Sequence, residues 1–260
     1  MGWEYFLVEV EEEIALVTIN RPKVLNAVDF NVIKEAGVLF RELEERSDVR
    51  AIILTGAGEK AFIAGGDIAA MNALSMDEAH KFVATGQRVI SDIERSSKLT
   101  IAAINGFALG GGTEIAMGFD LRIASEKAML GLPEVSVGLI AGWGGTQRLS
   151  RLIGKGRAKY YIFTGEMIQA AEAEKIGLVN KVVPPEELIP TCKKIAKKIL
   201  NNSPIAVLQS KKSINEGLNM SLDQGQKYEA DAWLVNYATS DRNEGLSAFL
   251  EKRKPQFKGK

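Results

Sequence analysis

Three consecutive glycines constrain the fold of this chain more than any other feature of its sequence. Residues 110–112 separate the apolar segment 101–104, half of which is β-branched, from Glu114, which belongs to a short helical pattern. Because glycine loses more conformational entropy on folding than other residues, the run indicates a sharp turn or a close backbone approach. The unpaired N–H groups of a helix that begins there would suit a developing negative charge. A tight connection packed for steric reasons alone fits the same residues.

Length, charge and cysteine content limit the class of protein. The 260 residues suffice for one large domain, or one domain with a substantial appendage. Lys plus Arg and Asp plus Glu are both 33, so no overall charge favours nucleic acid or an anionic membrane as a partner. We expect neither a signal peptide nor a membrane span. Cys192 is the only cysteine, which excludes an internal disulfide and favours the cytoplasm.

A single histidine removes several chemistries. His80 lies among charged residues of a predicted helix, and the chain contains no Gly-x-Ser-x-Gly motif. A histidine-based hydrolase and a histidine-ligated metal are therefore disfavoured, and we predict no metal site. Residues 56–61 match the relaxed dinucleotide fingerprint Gly-x-Gly-x-x-Ala after a predicted strand, but a second glycine-rich segment follows instead of a helix. We interpret this match as a plain turn.

Hydrophobic periodicity predicts strands that alternate with helices through about the first 200 residues. The predicted strands are 5–10, 13–19, 50–55, 101–104 and 119–124, and the long helices are 30–46 and 76–96. The apolar side of the first helix is predicted to comprise Val32, Ile33, Val38, Leu39 and Leu43. This alternation predicts a layered or spiral α/β core.

The last sixty residues are predicted to be helical. Ser203 precedes Pro204 as a helix start, and residues 222–237 show helical spacing. Asp241 and Glu244 have the spacing of a capping box that would open a final helix.

Two further segments resemble helix starts with polar side chains. Gly65 and Gly66 lead into Asp67, which is suited to cap a short helix. Together with the three glycines, this gives two places where backbone N–H groups could form an oxyanion hole, although two ordinary capped helices fit as well. Pro133 is suited to the first position of a helix, which would put Glu134 in the first turn. A glutamate there can simply stabilise the helix dipole.

Four motifs together carry a resemblance to a known family. They are Ala-Phe-Ile-Ala-Gly-Gly-Asp-Ile at 61–68, Asn-Gly-Phe-Ala-Leu-Gly-Gly-Gly-Thr-Glu at 105–114, Pro133-Glu134, and Gly-Gly-Thr-Gln-Arg-Leu at 144–149. In this order they resemble the crotonase, or enoyl-CoA hydratase, superfamily. The likeness extends over almost the whole chain.

This resemblance implies both a fold and an assembly. Residues 1–200 would form an α/β spiral of ββα units that carries the acyl-CoA site. Residues 201–260 would form a helical region that assembles a homotrimer, commonly stacked into a homohexamer. We therefore expect a cytoplasmic enzyme of acyl-CoA metabolism, as in fatty-acid β-oxidation, with an acyl-CoA thioester as its partner.

The resemblance also implies a reaction and roles for five residues. The reaction is the reversible syn hydration of a trans-2-enoyl-CoA, in which the backbone N–H groups of Gly66 and Gly111 hold a thioester enolate. Glu114 would activate water for addition at C3, and Glu134 would supply the proton at C2. The N–H group of Gly142 would hold the same water. No cofactor is expected, because CoA is part of the substrate.

The substrate contacts are implied by the same resemblance. They are Lys23, Leu25, Ala64, Asp67, Ile68, Met71 and Trp143. Three residues depart from the usual hydratase pattern: Leu132 stands where glutamine is usual, Ala141 where proline is usual, and Trp143 where a smaller residue is usual. These departures leave the structure of the acyl group open.

Other functions stay open from the sequence. They are hydration or dehydration of a specialised or cyclic acyl-CoA, enoyl-CoA isomerisation, and a noncatalytic or RNA-binding role on the same fold. The presence of both glutamates favours hydration, and the neutral charge balance weighs against RNA. Acyl chain length, physiological direction, pathway and the choice between trimer and hexamer are not determined.

Overall fold

The computed structural model describes residues 2–260, which divide into a unit ending at Lys193 and a unit of Lys194–Lys260. The strands found in this range all lie in the first unit. They are β1 (Phe6–Glu11), β2 (Ile14–Ile19), β3 (Ala51–Gly56), β4 (Ala61–Ile63), β5 (Leu99–Ile104), β6 (Phe107–Leu109), β7 (Leu121–Ser125), β8 (Met129–Gly131), β9 (Ile168–Gln169) and β10 (Lys181–Val183). The predicted division after residue 200 concerns which part assembles trimers, and it stays a prediction.

Helices make up most of the remainder of the described residues. They are α1 (Phe30–Glu45), α2 (Ile68–Asn72), α3 (Met76–Arg95), α4 (Gly111–Met117), α5 (Gly145–Ile153), α6 (Lys155–Thr164), α7 (Ala170–Lys175), α8 (Leu188–Leu200), α9 (Pro204–Gly217), α10 (Leu222–Tyr237) and α11 (Ser240–Leu250). Short 3-10 helices cover Pro22–Val24, Pro133–Val137 and Pro185–Glu187. The predicted long helices are confirmed to within one residue.

The strands form two sheets. The larger has the order β1-β2-β3-β5-β7-β10, with β1 antiparallel to β2 and every other neighbouring pair parallel. The smaller has the order β4-β6-β8-β9, in which only β8 and β9 are antiparallel. All six residues of β3 are buried, as expected for a parallel strand covered on both faces. The predicted α/β core is confirmed.

The three glycines end β6 and open α4. The helix begins at Gly111 and not at Glu114, the residue with which the sequence pattern opened it. Gly112 lies in the first turn of this helix, and a β-carbon there would lie 2.0 Å from the carbonyl oxygen of Ile63. Glycine lets the first turn of α4 approach β4 far more closely than a side chain would. The sequence did not predict strand β6, because its three residues are too few to show a strand pattern.

The predicted apolar side of α1 is wrong at one residue. Val38 is 49% exposed, and Ala36 and Phe40 are buried in its place. Two residues along a helix correspond to more than half a turn, so position 38 faces away from both of these neighbours.

The predicted capping box of Asp241 and Glu244 is also wrong. Thr239 caps α11 instead, and its side chain accepts a hydrogen bond from the backbone N–H of Arg242. The buried Asp241 carboxylate accepts bonds from the Ser203 hydroxyl and from two backbone N–H groups near the C-terminus. Glu244 pairs with Arg253, with 2.6 Å between Oε1 and Nη1. By contrast, the predicted start of α9 at Pro204, capped by Ser203, is confirmed.

Within the part of the chain that is described, no helix combines the length and the apolar character that crossing a membrane requires.

Replacing Gly112 with alanine tests the close approach of α4 to β4. We expect Gly112→Ala to lower the free energy of unfolding by about 1–3 kcal/mol, because the added methyl group overlaps a backbone oxygen. Gly156→Ala is the matched control, since a β-carbon there meets no atom within 4 Å. The control should be neutral or stabilising by up to about 1 kcal/mol. Equal urea midpoints for the two variants at one protein concentration would contradict this account.

Candidate active site

Glu114 lies in the first turn of α4 and is 2% exposed. Its Oε1 accepts hydrogen bonds from the backbone N–H groups of Trp143 and Gly145, both at 2.7 Å. Burial raises the pKa of this carboxyl to about 7, and the charge of Glu134 adds to the rise. The two N–H bonds and the charge of Arg148 oppose it. A carboxyl with a pKa near neutrality is suited to give and take protons.

Glu134 lies in the first turn of the 3-10 helix Pro133–Val137. Its Oε1 faces Gly110, where a β-carbon would lie 3.1 Å away. Its Oε2 is buried, with no hydrogen-bond partner among the described residues. Burial raises the pKa of this carboxyl above its ordinary value. This desolvation favours the protonated form of the half-buried carboxyl, and a hydrogen bond with the residue's own backbone opposes it.

Gly111 and Gly66 present backbone N–H groups whose orientation is fixed by their own peptide units. The Gly110 carbonyl, in the same peptide as the Gly111 N–H, accepts a bond from Glu114 N at 3.0 Å. The Gly65 carbonyl, in the same peptide as the Gly66 N–H, accepts a bond from Val28 N at 2.9 Å. In a trans peptide the N–H points opposite to the carbonyl, so each donor points away from its anchor. Among the described residues, neither N–H has an acceptor.

The two donors lie on neighbouring segments. Strands β4 and β6 pair, and a β-carbon on Gly65 would lie 3.2 Å from the Leu109 carbonyl oxygen. The residues that follow each strand therefore run side by side. Two free N–H groups in this position could bind one oxyanion.

Trp143 follows Gly142 in the loop before α5, and the residue is 4% exposed. A β-carbon on Gly111 would lie 2.7 Å from the ring, and one on Gly86 of α3 would lie 2.2 Å from it. The Phe82 ring packs edge-on, with 5.0 Å between centroids. The indole is therefore wedged between α3 and α4, directly beside a candidate oxyanion donor. The Gly142 N–H has no acceptor among the described residues.

Three of the predicted substrate contacts lie on the segments around Gly66. Leu25 follows the 3-10 helix Pro22–Val24 in a left-handed conformation, with φ of 55°. Its carbonyl accepts a bond from Ala64 N at 3.1 Å, which brings these two residues together. Lys23 is exposed in the same 3-10 helix. Their contact with substrate stays a prediction.

The other predicted contacts belong to α2 and its cap. The Met71 sulfur would lie 2.6 Å from a β-carbon on Gly66, so it lies next to this candidate donor. Ile68 is exposed. Asp67 caps α2 and forms an ion pair with Arg21 at 3.7 Å, so it has a structural role already. The roles of these residues toward substrate also stay predictions.

Sequence reasoning missed several groups around Glu114. The N–H donors of Trp143 and Gly145 could not be found from residue types, because backbone groups belong to every residue. Arg148 lies in the motif at 144–149, but the resemblance implies no role for it. Its Nη1 donates to the Trp143 carbonyl at 3.1 Å, and its Nη2 lies 2.7 Å from Oε2 of Glu94.

Comparison with known proteins decides the family. A family model described as enoyl-CoA hydratase/isomerase matches residues 9–260. The chain belongs to the enoyl-CoA hydratase/isomerase family. A short-chain-enoyl-CoA hydratase of Clostridium acetobutylicum is 50% identical over 248 residues, which cover 95% of each chain. A crotonyl-CoA hydratase of Syntrophomonas wolfei is 49% identical over 257 residues, which cover 99% of each chain.

A solved structure of the family matches the fold. The crystal structure of an enoyl-CoA hydratase from Bacillus anthracis has a TM-score of 0.95 at 41% identity, and the match covers 99% of this chain and 100% of that one. The predicted crotonase-like fold is therefore confirmed. No group of three or more His, Cys, Asp or Glu side chains among residues 2–260 could hold a metal ion. The absence of a metal or cofactor from the reaction stays a prediction.

The raised pKa of Glu114 predicts a pH-dependent stability. Between the ordinary value of 4.5 and about 7, the folded chain keeps a proton that the unfolded chain has lost. Folding stability should therefore fall as pH rises through this window. Glu114→Gln removes the ionisation, so its free energy of unfolding relative to wild type should rise by on the order of 1–3 kcal/mol from pH 5 to pH 8.

Urea unfolding at both pH values measures this change. Glu59→Gln supplies the same substitution at an exposed site. If Glu114→Gln shows no more pH-dependent gain than Glu59→Gln, the buried carboxyl does not titrate as described.

Proposed function

We propose that this chain catalyses the reversible syn hydration of a trans-2-enoyl-CoA to a 3-hydroxyacyl-CoA. The observation that carries the proposal is a pair of neighbouring glutamates, Glu114 buried and Glu134 half-buried, whose carboxyls both have raised pKa values. Burial raises the pKa of both carboxyls, that of Glu114 to about 7. The two backbone N–H bonds to Glu114 oppose the rise and stabilise its carboxylate, so we assign Glu114 as the base and Glu134 as the acid. Two neighbouring carboxyls with raised pKa values suit a reaction that needs both a base and an acid.

The bond changes follow from this division. The Gly66 and Gly111 N–H groups bind the thioester oxygen, on which negative charge develops as the C2–C3 π bond breaks. Each such donor typically contributes about 10²–10³ in rate. Glu114 takes a proton from water while the water oxygen bonds to C3, and Glu134 gives its proton to C2. The Gly142 N–H orients the water. After the reaction, proton exchange with solvent returns Glu114 and Glu134 to their starting protonation states.

CoA binding and assembly belong to the same proposal. Lys23, Leu25 and Ala64 would contact the pantetheine and adenine of CoA. A homotrimer or homohexamer would assemble through residues 201–260. The high exposure of the apolar side chains of Leu222, Phe249 and Leu250 supports this assembly, because a partner subunit would cover them. The single cysteine supports a cytoplasmic location.

Hydration of crotonyl-CoA, followed as the loss of its enoyl-thioester absorbance, tests the reaction. Wild type should hydrate it, and Glu114→Gln and Glu134→Gln should each lower kcat by about 10² or more, since each removes one proton-transfer group. Glu59→Gln is the matched control and should retain full activity. If wild type hydrates neither crotonyl-CoA nor longer 2-enoyl-CoA thioesters, the proposed function is wrong.

The acyl group in this proposal is short. The Trp143 indole fills the space beside Gly111, close to where the thioester carbonyl would bind, and Phe82 supports the ring. An acyl chain directed toward that ring would meet it after few carbons. The names of two relatives, a short-chain-enoyl-CoA hydratase and a crotonyl-CoA hydratase, support the same substrate class.

Trp143→Leu tests this limit. We expect the ratio of kcat/KM for trans-2-hexenoyl-CoA to that for crotonyl-CoA to rise about tenfold or more, because a smaller side chain admits further methylene groups. The ratio cancels a general loss of activity caused by disturbing the loop. Trp3→Leu is the control, since Trp3 packs elsewhere against the core. An unchanged ratio in Trp143→Leu would place the acyl chain away from this ring.

A further inference from the structure

Helix α3 contacts residues 142–145, which are the end of the loop before α5 and the first residue of α5. This segment, called the loop below, carries the hydrogen-bond donors to Glu114. Near its middle, Gly86 packs under the Trp143 ring and Gln87 Nε2 donates to the Gly142 carbonyl at 2.8 Å. Near its C-terminal end, Glu94 pairs with Arg148 of α5. The loop is therefore attached to one long helix at several points.

Arg148 holds the middle of this loop. Its Nε and Nη2 lie 3.3 and 2.7 Å from Glu94 Oε2, and its Nη1 lies 3.1 Å from the Trp143 carbonyl oxygen. A β-carbon on Gly144, whose φ is 101°, would lie 2.3 Å from Nη1. The side chain is only 15% exposed. The guanidinium thus occupies a space that only glycine at position 144 leaves open.

The carbonyl that Arg148 binds lies between the two donors to Glu114. Along the chain, the Trp143 N–H comes first, the Trp143 carbonyl second and the Gly145 N–H third, and both N–H groups bind the same oxygen of Glu114. The Trp143 carbonyl belongs to the peptide unit between Trp143 and Gly144, which links the peptide of the Trp143 N–H to the peptide of the Gly145 N–H. The bond from Arg148 therefore anchors the segment from which both donors extend, and Arg148 does this without contacting Glu114.

Charge connects the same groups. The positive charge of Arg148 lowers the pKa of Glu114, and the negative charge of Glu134 raises it. Glu94 forms an ion pair with Arg148, and its negative charge compensates part of the positive charge of Arg148. The buried Arg122 also interacts electrostatically with Glu94. These are the charged groups that act on Glu114 directly or through Arg148.

We propose that Glu94 and Arg148 form a positioning pair, which holds residues 142–145 against Glu114 and sets the balance of charge that this carboxyl experiences. The role rests on the proposed function, since it assigns Glu114 as the base in hydration. Arg148 is a positioning residue, because it acts through the loop and through its field.

Two substitutions move the charge in opposite directions. Arg148→Met removes the positive charge and the bond to the Trp143 carbonyl, so the acidic limb of the kcat/KM profile against pH should move to higher pH. Glu94→Gln keeps an oxygen that can accept from the guanidinium but removes its compensating charge, so the limb should move to lower pH. A purely structural role would not produce opposite shifts.

The rates separate geometry from charge. Arg148→Met should lower kcat about tenfold, because the segment that carries the Glu114 donors loses an anchor, while KM changes less than about twofold. Arg148→Lys restores the charge without the forked hydrogen bonds, so it should return the limb toward wild type but recover kcat only in part. Arg151→Met, which removes an exposed arginine one turn further along α5, is the control and should move neither.

A measurement without turnover keeps this inference separate from the proposed function. Infrared difference titration of the Glu114 carboxyl, assigned with Glu114→Gln, reports its ionisation in each variant. Opposite shifts in Arg148→Met and Glu94→Gln support the pair even if wild type hydrates no enoyl-CoA. Shifts in the same direction, or none, overturn it even if wild type is active. If Arg148→Met does not fold, a shift to lower pH in Glu94→Gln alone decides in favour, and its absence decides against.

Discussion

The bond pair from Trp143 N–H and Gly145 N–H to Glu114 is the interaction on which the site depends. A carboxylate this deeply buried would be strongly disfavoured without donors, and two backbone N–H groups at 2.7 Å offset part of that cost. The bonds also join the N-terminal turn of α4 to the start of α5, two elements far apart in sequence. The two hydrogen bonds that position the candidate catalytic base therefore also connect α4 to α5.

Close backbone packing creates the space for this arrangement. Gly112 lets α4 approach β4, and the absence of a side chain at Gly111 leaves room for the Trp143 ring. At Gly110, a side chain would press against Glu134. Each of the three glycines therefore makes room for a different neighbouring group. One run of small residues brings together a backbone oxygen, an aromatic ring and a carboxyl that would otherwise be kept apart.

The two glutamates differ in their surroundings, since Glu114 is buried and Glu134 is half-buried. Glu114 has fixed N–H donors and a nearby arginine, whereas Oε2 of Glu134 has no partner among residues 2–260. Burial raises the pKa of both carboxyls, and the N–H donors and Arg148 oppose the rise at Glu114. Two carboxyls with raised pKa values in one small site can serve as the acid and the base of one reaction.

The sequence by itself determined the family, the alternation of strands and helices, and the candidate chemical residues Glu114, Glu134, Gly66 and Gly111, because short motifs carry local turn and cap chemistry. It placed the long helices within a residue, since amphipathic periodicity is a local signal. Only the tertiary structure decided that α4 begins at Gly111, that Asp241 is bound by Ser203 and the C-terminal backbone, and that Glu94 and Arg148 hold the loop at Glu114. Those outcomes depend on contacts between segments that are distant in the chain. Many of these contacts use backbone atoms, which every residue type has, so the sequence contains no signal that predicts them.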